Sequence, residues 1–151
     1  MPSTRLAPRA LLVLLAAMSL ACDDPLRPAD VAGIYVLRTV RGEPLPALLW
    51  RGDRAEMRIV ADTLVLNADG TGHEVSHLQF SDPSRTTTGR SELPLRFEVH
   101  DDRLEGAYLC PPGAACLAVI QPLRGEFTAF GLRVDVGKHS GGPLLFERPR
   151  R

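Results

Sequence analysis

The strongest chemical signal in the sequence is His73-Glu74-Val75-Ser76-His77. On one face of a helix, two histidines four residues apart can bind zinc while the glutamate activates water. A helix is opposed by Gly70 and Gly72 where it would begin and by Asp82-Pro83 soon after. On a strand, at roughly 3.3 Å per residue, the imidazoles would lie about 13 Å apart and Glu74 would face the other side. We therefore expect exposed strand histidines, with no catalytic residue, metal or cofactor, and keep a zinc-dependent hydrolase using His73, Glu74 and His77 as the alternative.

The chain has three cysteines, and this odd number indicates that one of them has a separate role. Cys110 and Cys116 flank Pro-Pro-Gly-Ala-Ala, a tip rich in turn formers. Cross-strand neighbours have Cα atoms about 4.5 to 5.5 Å apart, a spacing that a disulfide tolerates. We predict a disulfide between Cys110 and Cys116 across a hairpin neck. A zinc pair is the alternative, but zinc sites usually have more closely spaced cysteines and two further ligands.

The remaining cysteine, Cys22, follows a segment with the layout of a secretory signal peptide. Arg5 and Arg9 precede an apolar run of about 11 residues, which is short of the roughly 20 that a membrane-spanning helix needs. The residues 19–21 before Cys22 resemble the lipobox of bacterial lipoproteins, although Ser19 stands where that family usually has Leu. We predict a helical signal peptide at 1–21 and lipidation (palmitate) of Cys22. Simple secretion after cleavage at the same place is the alternative.

The expected mature chain, residues 22–151, is long enough for one domain. Eighteen basic and eighteen acidic residues balance, and loss of Arg5 and Arg9 with the leader leaves a slight acidic excess. No basic cluster suited to nucleic acid is present. We expect residues 22–30 to form a tether, residues 31–151 to form the domain, and the protein to be a monomer in the cell envelope, in the periplasm or at the outer membrane.

Turn signals recur every 8 to 12 residues or so, and this spacing favours an all-β sandwich or barrel. The clearest strand alternates Leu93, Leu95, Phe97 and Val99 with polar residues. Residues 43–54 are expected to form a connection with an apolar knot, 61–62 a bend, and 84–90 a mobile surface loop. The predicted strands are 33–40, 57–60, 63–67, 71–80, 92–100, 104–110, 116–121, 125–136 in one or two pieces, and 144–147.

Three segments together resemble small bacterial lipocalin-like lipoproteins: Gly33 and Tyr35 opening the first strand, Arg-Gly-Glu-Pro-Leu-Pro at 41–46, and Leu-Val-Leu-Asn-Ala-Asp-Gly at 64–70. Arg41 replaces the Asn that is usual in that family, and the resemblance covers about the first half of the mature domain. It implies a single antiparallel meander of about eight to ten strands that closes into a lipocalin-like barrel. It implies no catalytic residues.

Three classes of function remain open on these residues. A binding module would hold a small apolar ligand in a cavity, whereas a structural module would have a packed interior and an apolar patch for an envelope protein. The enzyme class requires zinc at residues 73–77. The aromatic residues are expected to be core more often than cavity lining, because a barrel of about eight strands is only just wide enough to be filled by side chains.

Overall fold

The computed structural model describes residues 25–111, 122–135 and 142–149, most of which belong to one antiparallel sheet. The described elements are α1 (Pro28–Val31), β1 (Gly33–Val40), β2 (Glu43–Pro44), β3 (Ala47–Arg51), β4 (Glu56–Leu66), β5 (Thr71–Ser81), β6 (Thr86–His100), β7 (Arg103–Tyr108), β8 (Pro122–Thr128), β9 (Gly131–Asp135) and β10 (Leu144–Glu147).

Eight of these strands, β1 and β4 to β10, close into a barrel because β1 has a partner on each edge. Val36 pairs with Glu147 of β10 on one side and with Thr63 of β4 on the other. The short strands β2 and β3 pair only with β1 and β4 respectively. The all-β antiparallel meander barrel expected from the sequence is therefore confirmed.

Inward-facing residues of most strands form the hydrophobic core. On β6, Leu95 and Phe97 are buried while Arg96 and Glu98 are exposed, as the alternating pattern of this segment predicts. The buried apolar side chains are Val31, Tyr35, Leu37, Val40, Ala47, Ile59, Leu64, Leu66, Leu95, Phe97, Leu104, Leu123, Leu132, Val134 and Phe146.

The helix α1 lies at one end of the barrel, which we call the tether end. Val31 is buried in the core, and its carbonyl accepts a hydrogen bond of 2.7 Å from the Tyr35 hydroxyl. Arg148 donates to the carbonyl of Ala32 at 2.6 Å. These contacts fix the one-turn helix, part of which lies in the segment expected to be a tether.

Close packing near the tether end leaves no room for a side chain at Gly72. A Cβ atom there would lie 2.4 Å from the carbonyl oxygen of Val65 and 3.1 Å from Cδ1 of Leu95. The interior at this level is therefore fully packed.

Three local predictions are wrong. Residues 43–54 include the strands β2 and β3, and residues 61–62 lie inside β4, where a register shift between Ile59 and Ala61 takes the place of a bend. Residues 86–90 belong to β6, because the three threonines have high β propensity and pair with β5. The turn is confined to 82–85, where the Asp82 carboxylate accepts the amide of Ser84 at 2.8 Å.

Several sequence-based predictions fall on other parts of the chain. The signal peptide at 1–21, Cys22, the strand at 116–121 and Cys116 lie outside the described residues. Within the described ranges, no helix is long and apolar enough to cross a membrane.

Candidate functional site

Residues 73–77 lie within the extended strand β5, not on a helix. Glu74 pairs with buried Leu64 and Ser76 pairs with Asp62 on β4. His73 pairs with Val65. Because neighbouring residues of a strand point to opposite faces, Glu74 and Ser76 share the inner face while the two histidines share the outer one. Among the residues that the structure describes, no three His, Cys, Asp or Glu side chains are grouped to hold a metal.

The inner face of this sheet region instead carries four polar side chains, Asp62, Glu74, Ser76 and Tyr108, which we call the interior cluster. Asp62 occupies the same face of β4 as the buried residues Leu64 and Leu66, since the three alternate along the strand. Tyr108 on β7 pairs with Leu95 on β6, and this register brings its ring to the same face.

Hydrogen bonds join the four members. The Ser76 hydroxyl lies 3.0 Å from Oδ2 of Asp62, to which it donates, and 3.4 Å from Oε1 of Glu74. The Tyr108 hydroxyl donates to Oε2 of Glu74 in a short hydrogen bond. The cluster thus spans β4, β5 and β7 and crosses the inner face of β6.

Asp62 is the most deeply buried polar residue of the cluster. Its side chain is 1% exposed, and Oδ1 has no hydrogen-bond partner within residues 25–111, 122–135 and 142–149. Burial, together with the negative charge and hydrogen bonding of Glu74, raises the pKa of Asp62 to about 9. At neutral pH Asp62 therefore keeps its proton, next to the negative charge of Glu74.

Tyr108 responds to the same environment. Its burial, followed by the charge of Glu74, raises the pKa of the phenol, so the hydroxyl keeps its proton and acts as a donor to Glu74. The hydroxyl groups of Ser76 and Tyr108 therefore donate to the carboxyl groups of Asp62 and Glu74. No Arg, Lys or His side chain among the described residues forms an ion pair with either carboxyl group.

On the side of the cluster away from the tether end, here called the open end, the described inward-facing residues of β5 are only partly buried. Ser76 and Leu78 continue the inner face of β5 and are only partly buried. Leu78 pairs with Gly89 of β6, where an added Cβ would meet nothing within 4 Å.

A separate groove of about 690 Å³ lies at the tether end, lined in part by Asp30, Tyr35, Phe130 and Arg148. Its main polar groups already have partners, since Tyr35 bonds Val31 and Arg148 bonds Ala32. We therefore place the candidate site at the interior cluster, where buried Oδ1 of Asp62 has no hydrogen-bond partner among the described residues.

The interior cluster can hold a proton, donate a hydrogen bond from protonated Asp62 or accept hydrogen bonds from a cation. Asp62 and Ser76 are cross-strand partners at one level of the barrel, and Glu74 lies one level closer to the tether end, beside Leu64. The arrangement is therefore suited to recognition of a polar or charged group inside an apolar shell.

No known protein family, curated protein or solved structure matches this chain. The resemblance to lipocalin-like lipoproteins therefore stays a prediction for this protein, and the fold is established by the barrel itself.

Sequence reasoning missed Asp62 and Tyr108 as site residues. Aspartate is depleted in strands, and this made Ala61-Asp62 resemble a bend. The alternation of Asp62 with Leu64 and Leu66 was the available signal that Asp62 faces inward. Cys110 lies two residues after β7, but its predicted partner Cys116 is outside the described residues, so that disulfide stays a prediction.

Proposed function

We propose that this chain is an exported lipoprotein whose barrel binds a small molecule through its open end. The observation that carries the proposal is the interior cluster, which buries the Asp62 carboxyl on the inner face of the barrel with no partner for Oδ1 among the described side chains and backbone groups. Burying a polar group without a partner costs free energy, so such groups usually have a structural or functional explanation.

Export and anchoring are supported by the leader at 1–21 and by the residues around Cys22. In this proposal the lipid holds the tether end at a membrane, and the open end faces away from it. In this proposal the module acts by binding and not by catalysis, and the interior cluster holds the polar group of the bound molecule.

The test uses N-phenyl-1-naphthylamine, an apolar fluorescent probe, with the purified full chain. Gly89→Phe places a ring over the inner face at the open end, whereas Thr88→Phe places the same ring on the outer face. We expect saturable binding to the parent protein, unchanged binding to Thr88→Phe and at least about tenfold weaker binding to Gly89→Phe, equivalent to roughly 1.4 kcal/mol. No saturable binding, or equal affinity of the two variants, would refute the interior binding site.

A further inference from the structure

The negative charge of the Asp62–Glu74 pair restricts what the proposed binding site would accept. The two carboxyl groups lie in the interior, next to apolar residues such as Leu64 and Leu95. An anion placed there would be repelled at low dielectric, whereas a cation would be attracted. A neutral apolar molecule would leave Oδ1 of Asp62 without a partner.

Resting on the proposed function, we propose that the ligand is an organic cation, with an ammonium group that binds Asp62 and Glu74 and an apolar body that extends along Leu78. An ammonium group supplies several N–H donors, one of which satisfies Oδ1 of Asp62 while another reaches Glu74. Ser76 and Tyr108 already occupy other acceptor positions of these carboxylates, and this arrangement limits the ligand to one cationic head.

The apolar surface next to the cluster favours an organic cation over a metal ion. Leu78 and Leu49 are partly buried and pack against the core, and Leu93, the cross-strand partner of Glu74, is 36% exposed. Calcium usually takes about six to eight oxygen ligands. The cluster has six oxygens in total, and both hydroxyls already donate to the carboxylates. The alkyl body of the ligand would cover the leucines. The ammonium group of the ligand would supply the positive charge that no described side chain supplies to Asp62 or Glu74.

Binding would also move one proton. With its pKa raised to about 9, Asp62 is protonated at neutral pH. When the ammonium group of the ligand binds, the Asp62 O–H bond breaks and its proton leaves to solvent, so the complex contains a carboxylate on each residue and one organic cation. Uptake of one positive charge is thus balanced by release of one proton.

Isothermal titration calorimetry at pH 7.5 tests this inference with n-hexylammonium chloride, n-hexanol and calcium chloride as separate probes. Repeating the hexylammonium titration in phosphate and in HEPES, which have different ionisation enthalpies and carry no ammonium group that would compete, measures the protons released; calcium is titrated in HEPES only. We expect hexylammonium to bind at least about tenfold more tightly than hexanol, because charge-assisted hydrogen bonds contribute about 1.5 to 3 kcal/mol. We expect about one proton to be released for each hexylammonium bound.

Substitutions inside and outside the barrel test whether hexylammonium binds at the interior cluster. Asp62→Asn should abolish proton release and weaken hexylammonium binding by about tenfold or more, while hexanol binding changes little. Glu98→Gln removes a carboxylate whose side chain is 81% exposed on the outside of β6, and it should behave as the parent. Glu74→Gln provides a second test if Asp62→Asn alters the fold, and circular dichroism monitors folding of each variant.

Three outcomes would overturn the inference: equal binding of hexanol and hexylammonium, tighter binding of calcium, or hexylammonium binding that survives both interior substitutions. If hexanol and N-phenyl-1-naphthylamine bind while hexylammonium has no advantage, the cation inference fails and the proposed binding function stands. If none of the probes binds, the proposed function itself fails.

Discussion

Tyr108 on β7 donates a hydrogen bond to Glu74 on β5, across the inner face of the intervening strand β6. Tyr108→Phe removes the donor but keeps the ring, so the Glu74 carboxylate loses a partner in a partly buried site. We expect a loss of about 1 to 3 kcal/mol in the free energy of unfolding, measured by urea denaturation. The control is Tyr35→Phe, which breaks a bond to the Val31 carbonyl and should cost about 1 kcal/mol. A Tyr108→Phe protein as stable as the parent would contradict this role.

The Asp62 carboxyl should make the protein less stable at alkaline pH. Its pKa is raised from 3.8 in the unfolded chain to about 9 in the fold, so the folded state binds the extra proton between these values. The contribution of this proton to the free energy of unfolding is complete below about pH 4 and is lost as the pH rises toward about 9. The free energy of unfolding falls by no more than about 1.4 kcal/mol per pH unit because of Asp62. Asp62→Asn should flatten this decline in urea unfolding between pH 5 and 9, and an unchanged slope would show that another group is responsible. Asp102→Asn, in an exposed turn, is the control.

Gly72 and Gly89 lie on the same inner face of the β5–β6 hairpin but in different surroundings. Gly72→Ala would force its Cβ against the Val65 carbonyl, and we expect about 1 to 3 kcal/mol of destabilisation. Gly89→Ala enters open space and should leave stability unchanged or raise it by up to about 1 kcal/mol. Thermal unfolding of the two variants compares the packed and open levels of the barrel directly, and equal losses would argue against that difference.

Membrane attachment through Cys22 can be tested by fractionation of cells that express the chain. Cys22→Ala removes the only cysteine beside the predicted cleavage site, so the protein should move from the membrane fraction to the soluble fraction. Cys116→Ala is the control, and it should leave the protein with the membranes. Membrane retention of Cys22→Ala would favour another mode of attachment.

The predicted bond between Cys110 and Cys116 encloses a short loop and should contribute on the order of 2 kcal/mol to stability. Peptide mapping by mass spectrometry without reduction should recover the two cysteines in one cross-linked peptide. Recovery of both as free thiols from the oxidised protein would remove the prediction.

The sequence was informative wherever alternation and turn residues agreed. The bounds of β1 and β10, 33–40 and 144–147, match the prediction, and so does the hairpin around Gly70. Local composition was misleading where tertiary pairing decided the structure, as in the extension of β6 through Thr86. The interior cluster could not be assembled from the sequence, because its members become neighbours only through the register of four strands.

The barrel closes between β1 and β10, which are far apart in the sequence. The side chain of Arg38 forms an ion pair with Glu147, 109 residues later. A polypeptide that emerges with its N-terminus first, from a ribosome or a translocation channel, must therefore keep β1 without this partner until β10 has appeared. During that interval β1 presents an unpaired edge, and such edges promote association between chains. Deletion of β10, residues 144–147, would make this transient hazard permanent.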